Sequence, residues 1–145
     1  MKTNLYAALL LACFAHAHAA DAGAVAVETL AKTGASWDGS PLPPYPTGAA
    51  EISLLKIRIP PGAQLPIHQH PVINAGVLLS GELTVVTENN ETLHLKAGEA
   101  IVEVVGKWHY GKNEGSEPAE ILVFYAGTPG LPLSIQAPQA ETPPH

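Results

Sequence analysis

The sequence predicts an all-β sandwich or barrel, and two observations carry that reading. Short runs of branched and aliphatic residues recur from Glu51 to Tyr125, and Gly, Asn and Pro punctuate them; separately, no internal repeat at a fixed period is present.

In chain order, Asp21 to Thr33 is alanine-rich and gives a weakly patterned candidate for one short helix. Trp37 to Ser40 then turns into Pro41–Pro46, a polyproline-like arm whose Trp37, Leu42 and Tyr45 have three places to pack: a barrel edge, a neighbouring subunit or their own domain. Ile52–Ile59 reads as the first strand, stopped by Pro60-Pro61-Gly62. Val77–Ser80, Leu83–Thr87, Thr92–Leu95, Ala100–Val105 and Ile121–Tyr125 follow as short strands. Glu88-Asn89-Asn90 reads as a hairpin tip, because asparagine tolerates the positive φ of tight hairpins. Past Ala126, Leu131–Ile135 is one more candidate edge strand, and Gln136 to His145 reads as a flexible tail.

With 145 residues, 46% of them hydrophobic and 14% charged, the chain has length and apolar content for one compact core. A net charge of −6, with seven scattered Lys and Arg residues, argues against nucleic acid and points to small-molecule or protein partners. At the amino end, Lys2, the apolar run Leu5–Phe14 and Ala17-His18-Ala19 read as an export signal, with the mature chain beginning near Ala20 in a periplasmic or secreted location. The apolar run is too short for a membrane span. Leu10-Leu11-Ala12-Cys13 loosely resembles a lipobox, which makes lipid anchoring at Cys13 the lesser alternative. Without Cys13 the mature chain has no thiol, so any metal site must use nitrogen and oxygen.

The expected organisation is a signal over 1–19, the proline-rich arm over 20–50, the barrel over 51–126, and an edge segment with a tail over 127–145.

The stretch Gly62 to Gly81, GAQLPIHQHPVINAGVLLSG, carries His68 and His70. Two apart in an extended segment, they project to one face and can aim both imidazoles at one point. A second stretch, Gly98 to Asn113, adds His109 just after a strand and a Gly106 turn. His94, flanked by Leu93 and Leu95 that point the other way, faces solvent or an interface.

Together the two stretches resemble the cupin family, whose paired motifs are G-x5-H-x-H-x3-E-x6-G and G-x5-P-x-G-x2-H-x3-N. Gly62, His68, His70 and Gly81 match the first, and Gly98, Gly106, His109 and Asn113 the second, with every spacing intact. The glutamate position holds Asn74 and the proline position Val104. The resemblance implies a cupin jelly roll, or double-stranded β-helix, of two antiparallel sheets over residues 51–126, and a homodimer. It also implies that a hairpin folds His109 back over His68 and His70 to form a metal site. All-imidazole ligation suits a divalent transition metal, with Fe, Cu, Zn, Ni and Mn all admissible.

Asn74 is the informative departure. Where the family has an anionic ligand, an amide offers a neutral oxygen, an NH2 for substrate, or neither. Glu103, inside the apolar run Ile101-Val102-Glu103-Val104-Val105, is the candidate replacement acid or base. Its alternative is an outward glutamate paired with Lys56, Lys107 or Lys112. Trp108, Tyr110 and Tyr125 are candidates for the pocket wall or for core packing.

Resemblance to three-histidine cupins that act as thiol and diketone dioxygenases implies oxygen chemistry on a small organic substrate, with isomerase or lyase chemistry as further possibilities. The competing reading is a non-catalytic module that binds a sugar, an aromatic acid or the metal itself; a structural role for the metal is the third.

Overall fold

The computed structural model describes Gly23 and residues 25–138. The expected signal and Cys13 lie outside the described residues, as does most of the expected tail. Among the described residues nine strands form: β1 (Glu51–Ile59), β2 (His68–Gln69), β3 (Ile73–Ser80), β4 (Glu82–Thr87), β5 (Thr92–Lys96), β6 (Ala100–Val102), β7 (His109–Lys112), β8 (Ala119–Gly127) and β9 (Ile135–Gln136). They make a four-stranded sheet in the order β1-β8-β3-β6 and a five-stranded sheet in the order β5-β4-β7-β2-β9. All ladders between these strands are antiparallel, and the two sheets close into a jelly roll.

Alternation decides which residues fill the interior. Along β8, Ala119, Ile121, Val123 and Tyr125 are buried while Leu122 and Phe124 face out. Ile59, Val72, Leu78, Leu83, Val85, Leu95 and Ile101 complete the core. The turns follow their chemistry: Gly62, Gly81, Gly98 and Gly106, the four glycines of the paired motifs, all have positive φ. At the hairpin tip Asn90 sits at φ 63°, as its residue type allows.

Three sequence expectations change. The candidate helix is not formed over its described part: residues 25–33 run without helical structure, and Val25 and Val27 are exposed. Its apolar side chains have no stripe to bury, which leaves helix formation without a tertiary reward. The strand expected over Ala100–Val105 stops at Val102. Here the chain must leave one sheet for the other: the Glu103 amide still donates to the Asn74 carbonyl, but Val105 already pairs with His70 of the opposite sheet. The last strand is β9, one residue beyond the expected Leu131–Ile135 and shorter, held by pairing with β2 and by Ala137 N donating to Ile67 O at 2.9 Å.

The proline-rich arm packs on its own barrel. Ala35 bridges Pro41, the Trp37 amide donates to the Val102 carbonyl at 2.9 Å, and the Trp37 side chain rests against the core, whereas Tyr45 stays exposed. Lys107 reaches back to Asp38 and Ser40 of this arm.

Candidate metal centre

His68 and His109 stand directly opposite each other in the β2–β7 ladder, so their side chains share a face. His70 is brought alongside by its bridge to Val105 and by the Gly106 amide donating to its carbonyl at 2.9 Å. The three rings form a nearly equilateral triangle with centroid separations of 4.5, 4.9 and 5.0 Å. One ring nitrogen from each lies within 4.8 Å of the others, so the set could hold a metal ion.

Hydrogen bonding fixes which nitrogen is offered. Nδ1 of His68 contacts the Pro66 carbonyl at 2.8 Å, Nδ1 of His70 the Leu133 carbonyl at 2.8 Å, and Nδ1 of His109 the Lys107 carbonyl at 2.9 Å. A carbonyl only accepts, so each Nδ1 carries the proton and each Nε2 presents a lone pair. Metal-binding histidines are commonly oriented in this way. Burial, reinforced by the neighbouring imidazoles, pulls both His70 and His109 down to about 4 despite their carbonyl contacts, which keeps them neutral and ready to ligate at ordinary pH. Nε2 of His109 is buried without a hydrogen-bond partner, as suits a nitrogen that would ligate a cation.

Glu103 turns inward. It is 8% exposed, makes none of the lysine pairings open to an outward glutamate, and brings Oε2 to 3.7 Å from His109 Nε2. Burial pushes its carboxyl up to about 7. Asn74 is fully enclosed on β3, with Nδ2 donating to the Val72 carbonyl at 3.3 Å and Oδ1 unpartnered.

Beneath the histidines lies a cavity of about 40 Å³ lined by Leu65, Val85, Glu103, Ile121 and Tyr125 among others. Outside it a vestibule of about 190 Å³ is walled by Leu55, Ile57, Leu65, Leu133 and Tyr125, with His68 and His70 at its floor. Tyr125 is thus the pocket aromatic, its ring edge-on to His70 at 5.5 Å; burial and the nearby Glu103 push its phenol up to about 12, so it remains a proton donor. Trp108 and Tyr110 line neither space. Asn113 ties the motif down: Nδ2 donates to the carbonyls of Ile59 and Glu117, and Oδ1 accepts from the Gly115 amide. His94 is exposed and contacts Thr84 Oγ1, away from the site.

Sequence reasoning missed the carbonyls that orient the rings and the wall supplied by Leu133. Two of those carbonyls, from Pro66 and Lys107, lie two residues before their histidines and share a local pattern. The third comes from the segment before β9, 63 residues from His70, and no local signal marks it.

The fold and the donor set define a jelly-roll barrel with a three-histidine group that could hold a metal ion. Residues 55–125 match the cupin domain family (Cupin_2), and this barrel is a cupin domain. Germin-like protein subfamily 2 member 2 of Arabidopsis thaliana is 39% identical over 85 residues, covering 54% of this chain and 39% of its own length. Germin-like protein 8-14 of Oryza sativa subsp. japonica is 31% identical over 93 residues, covering 59% of this chain and 44% of its own. Among solved structures, the oxalate decarboxylase of Lactobacillus farciminis in its formate complex is 26% identical with a TM-score of 0.51, covering 59% of this chain and 26% of that one. The chain therefore spans less than half the length of these relatives.

Proposed function

We propose that this protein is an exported, metal-dependent oxidoreductase of dioxygenase-like type that acts on a small oxygenated organic acid, with dioxygen as oxidant. The observation that carries the reading is the set of three imidazoles whose Nδ1 atoms are tied to carbonyls and whose ring nitrogens cluster within 4.8 Å of one another, with His68 and His70 opening onto the vestibule. A divalent transition metal held there supplies Lewis acidity and open positions for oxygen donors.

The chain's own groups set what can react. A vestibule of about 190 Å³ equals about six water volumes at ~30 Å³ each, so the substrate is small. Its walls are mostly apolar, with Ser134 and Gln136 adding polar groups beside His68 and His70. Glu103 and Tyr125 line the cavity beneath the histidines, and the Tyr125 phenol is positioned to donate a proton. Likeness to an oxalate decarboxylase solved with formate supports a short carboxylic acid as the ligand class. The same proposal includes pairing as a homodimer, supported by Ile52, Leu54, Leu122 and Phe124, all exposed on the outer face of the four-stranded sheet.

The test is oxygen uptake by protein reconstituted separately with Fe(II), Mn(II), Cu(II), Ni(II) and Zn(II), against a panel of small hydroxy- and dicarboxylic acids with oxalate included. The proposal expects uptake with a redox-active metal, lost in His68→Ala. Substrate binding without turnover would contradict it and leave a ligand-binding module, whereas turnover without oxygen consumption would point to lyase or isomerase chemistry.

A further inference from the structure

Glu103 reaches the cavity because of where β6 ends. Ala75 pairs with Val102, and one residue further the Glu103 amide donates to the Asn74 carbonyl at 3.1 Å. Opposed residues of an antiparallel pair carry their side chains on the same face, so Glu103 and Asn74 both turn inward. On the other side of β3, Asn74 is in register with Tyr125. A row Glu103–Asn74–Tyr125 thus crosses the inner face beside the histidines. In the middle of the row the Asn74 amide is tied to the Val72 carbonyl. At its end Glu103 Oε2 and His109 Nε2 face each other at 3.7 Å, each buried without a hydrogen-bond partner.

Nothing in the chain alone accounts for that contact. It is too long for a hydrogen bond. Leaving such polar atoms buried and unpartnered costs about 1–3 kcal/mol each. Two donors held about 2.0–2.2 Å from one cation sit roughly 3 Å apart at a right angle and roughly 3.5 Å apart at a tetrahedral angle. A closure of a few tenths of an ångström would bring these two atoms onto one ion, and because the carboxylate lies outside the group of ring nitrogens within 4.8 Å of one another, its side chain must also swing toward His68 and His70 as the ion binds.

We propose that Glu103 is the carboxylate ligand of the three-histidine metal centre, supplied from the neighbouring strand in place of the side chain at position 74. This rests on the metal-binding reading above and adds a fourth donor to it. The backbone that carries Glu103 is held from outside the sheet: Trp37 N donates to Val102 O at 2.9 Å and Ser36 Oγ donates to Glu103 O at 2.8 Å. Three neutral imidazoles and one carboxylate leave a divalent ion with a net single positive charge, and the added oxygen donor suits iron and manganese better than nitrogen alone would.

The experiment titrates chelator-stripped full-length protein with Co(II), reading visible absorption and competition with a chelator, for wild type, Glu103→Gln and the double variant Asn74→Glu/Glu103→Gln. Circular dichroism checks the fold of each. Glu103→Gln is expected to weaken Co(II) binding by about 10- to 100-fold or more and to change the visible bands. The double variant, with a carboxylate restored at position 74, is expected to recover most of the loss. A folded Glu103→Gln protein with unchanged affinity and spectrum overturns the assignment. Should that variant not fold, the infrared difference between Zn(II)-loaded and metal-free wild type decides: a shifted carboxylate stretch is expected, and no shift overturns the proposal. Wild type that binds no Co(II) removes the metal-binding reading itself, whereas wild type and folded Glu103→Gln that bind equally remove only the role of Glu103.

Discussion

Replacing Glu103 by glutamine in metal-free protein isolates the cost of a buried carboxylate. The folded protein raises this carboxyl from an ordinary 4.5 to about 7, because burial disfavours the anion. Between those values the native state holds a proton that the unfolded chain has released, so the contribution of Glu103 to stability falls as pH rises from 4.5 to 7. The gap corresponds to about 3 kcal/mol. His70 and His109 act in the opposite direction: each is pulled from 6.5 to about 4, so their contribution rises with pH over that window. Wild-type stability alone therefore mixes the two effects. The difference between Glu103→Gln and wild type does not, because the histidines are common to both and glutamine has nearly the shape of the protonated acid.

Urea unfolding in the presence of chelator, at intervals from pH 4 to pH 8, measures that difference. The variant is expected to match wild type near pH 4 and to exceed it by about 3 kcal/mol near pH 8, or roughly 1.5 M in urea midpoint at a slope of about 2 kcal/mol per molar. A difference that stays flat across this range would show that Glu103 is solvated in the folded protein, and the description of an enclosed carboxylate would be wrong.

Other outcomes follow from packing and hydrogen bonding. Asn113→Ala removes three hydrogen bonds and leaves the carbonyls of Ile59 and Glu117 without their partner, so it should cost about 2–4 kcal/mol in urea unfolding. Gly81→Ala would place a Cβ 2.7 Å from the Pro118 carbonyl oxygen at φ +74°, and should cost about 2 kcal/mol or more. Gly98→Ala meets open space at φ +92° and should cost only the backbone strain, about 1–2 kcal/mol by the same assay.

The paired motifs made the barrel legible because their spacing counts strand lengths and turns. Positive φ at all four motif glycines and the opposition of His68 and His109 follow from that spacing. What the sequence hid is non-local. The run Ile101–Val105 reads as one strand from its side chains, yet the chain changes sheets after Val102, and only the contacts of Ser36, Trp37 and His70 with this stretch reveal it. For the same reason the direction of Glu103 stayed open: strand alternation settles a side chain's face only while the strand continues. The Leu133 carbonyl behind His70 belongs to a backbone group, and backbone groups leave no trace in residue type.

Metal content of the protein recovered from its native compartment, measured by mass spectrometry beside a His68→Ala/His109→Ala variant, tests the central claim most directly. The account predicts about one transition-metal ion per chain in the wild type, from a site where one ring nitrogen of each histidine lies within 4.8 Å of the others, and none in the variant. Wild type recovered without metal and unable to take up Co(II), Fe(II) or Zn(II) on titration would contradict it.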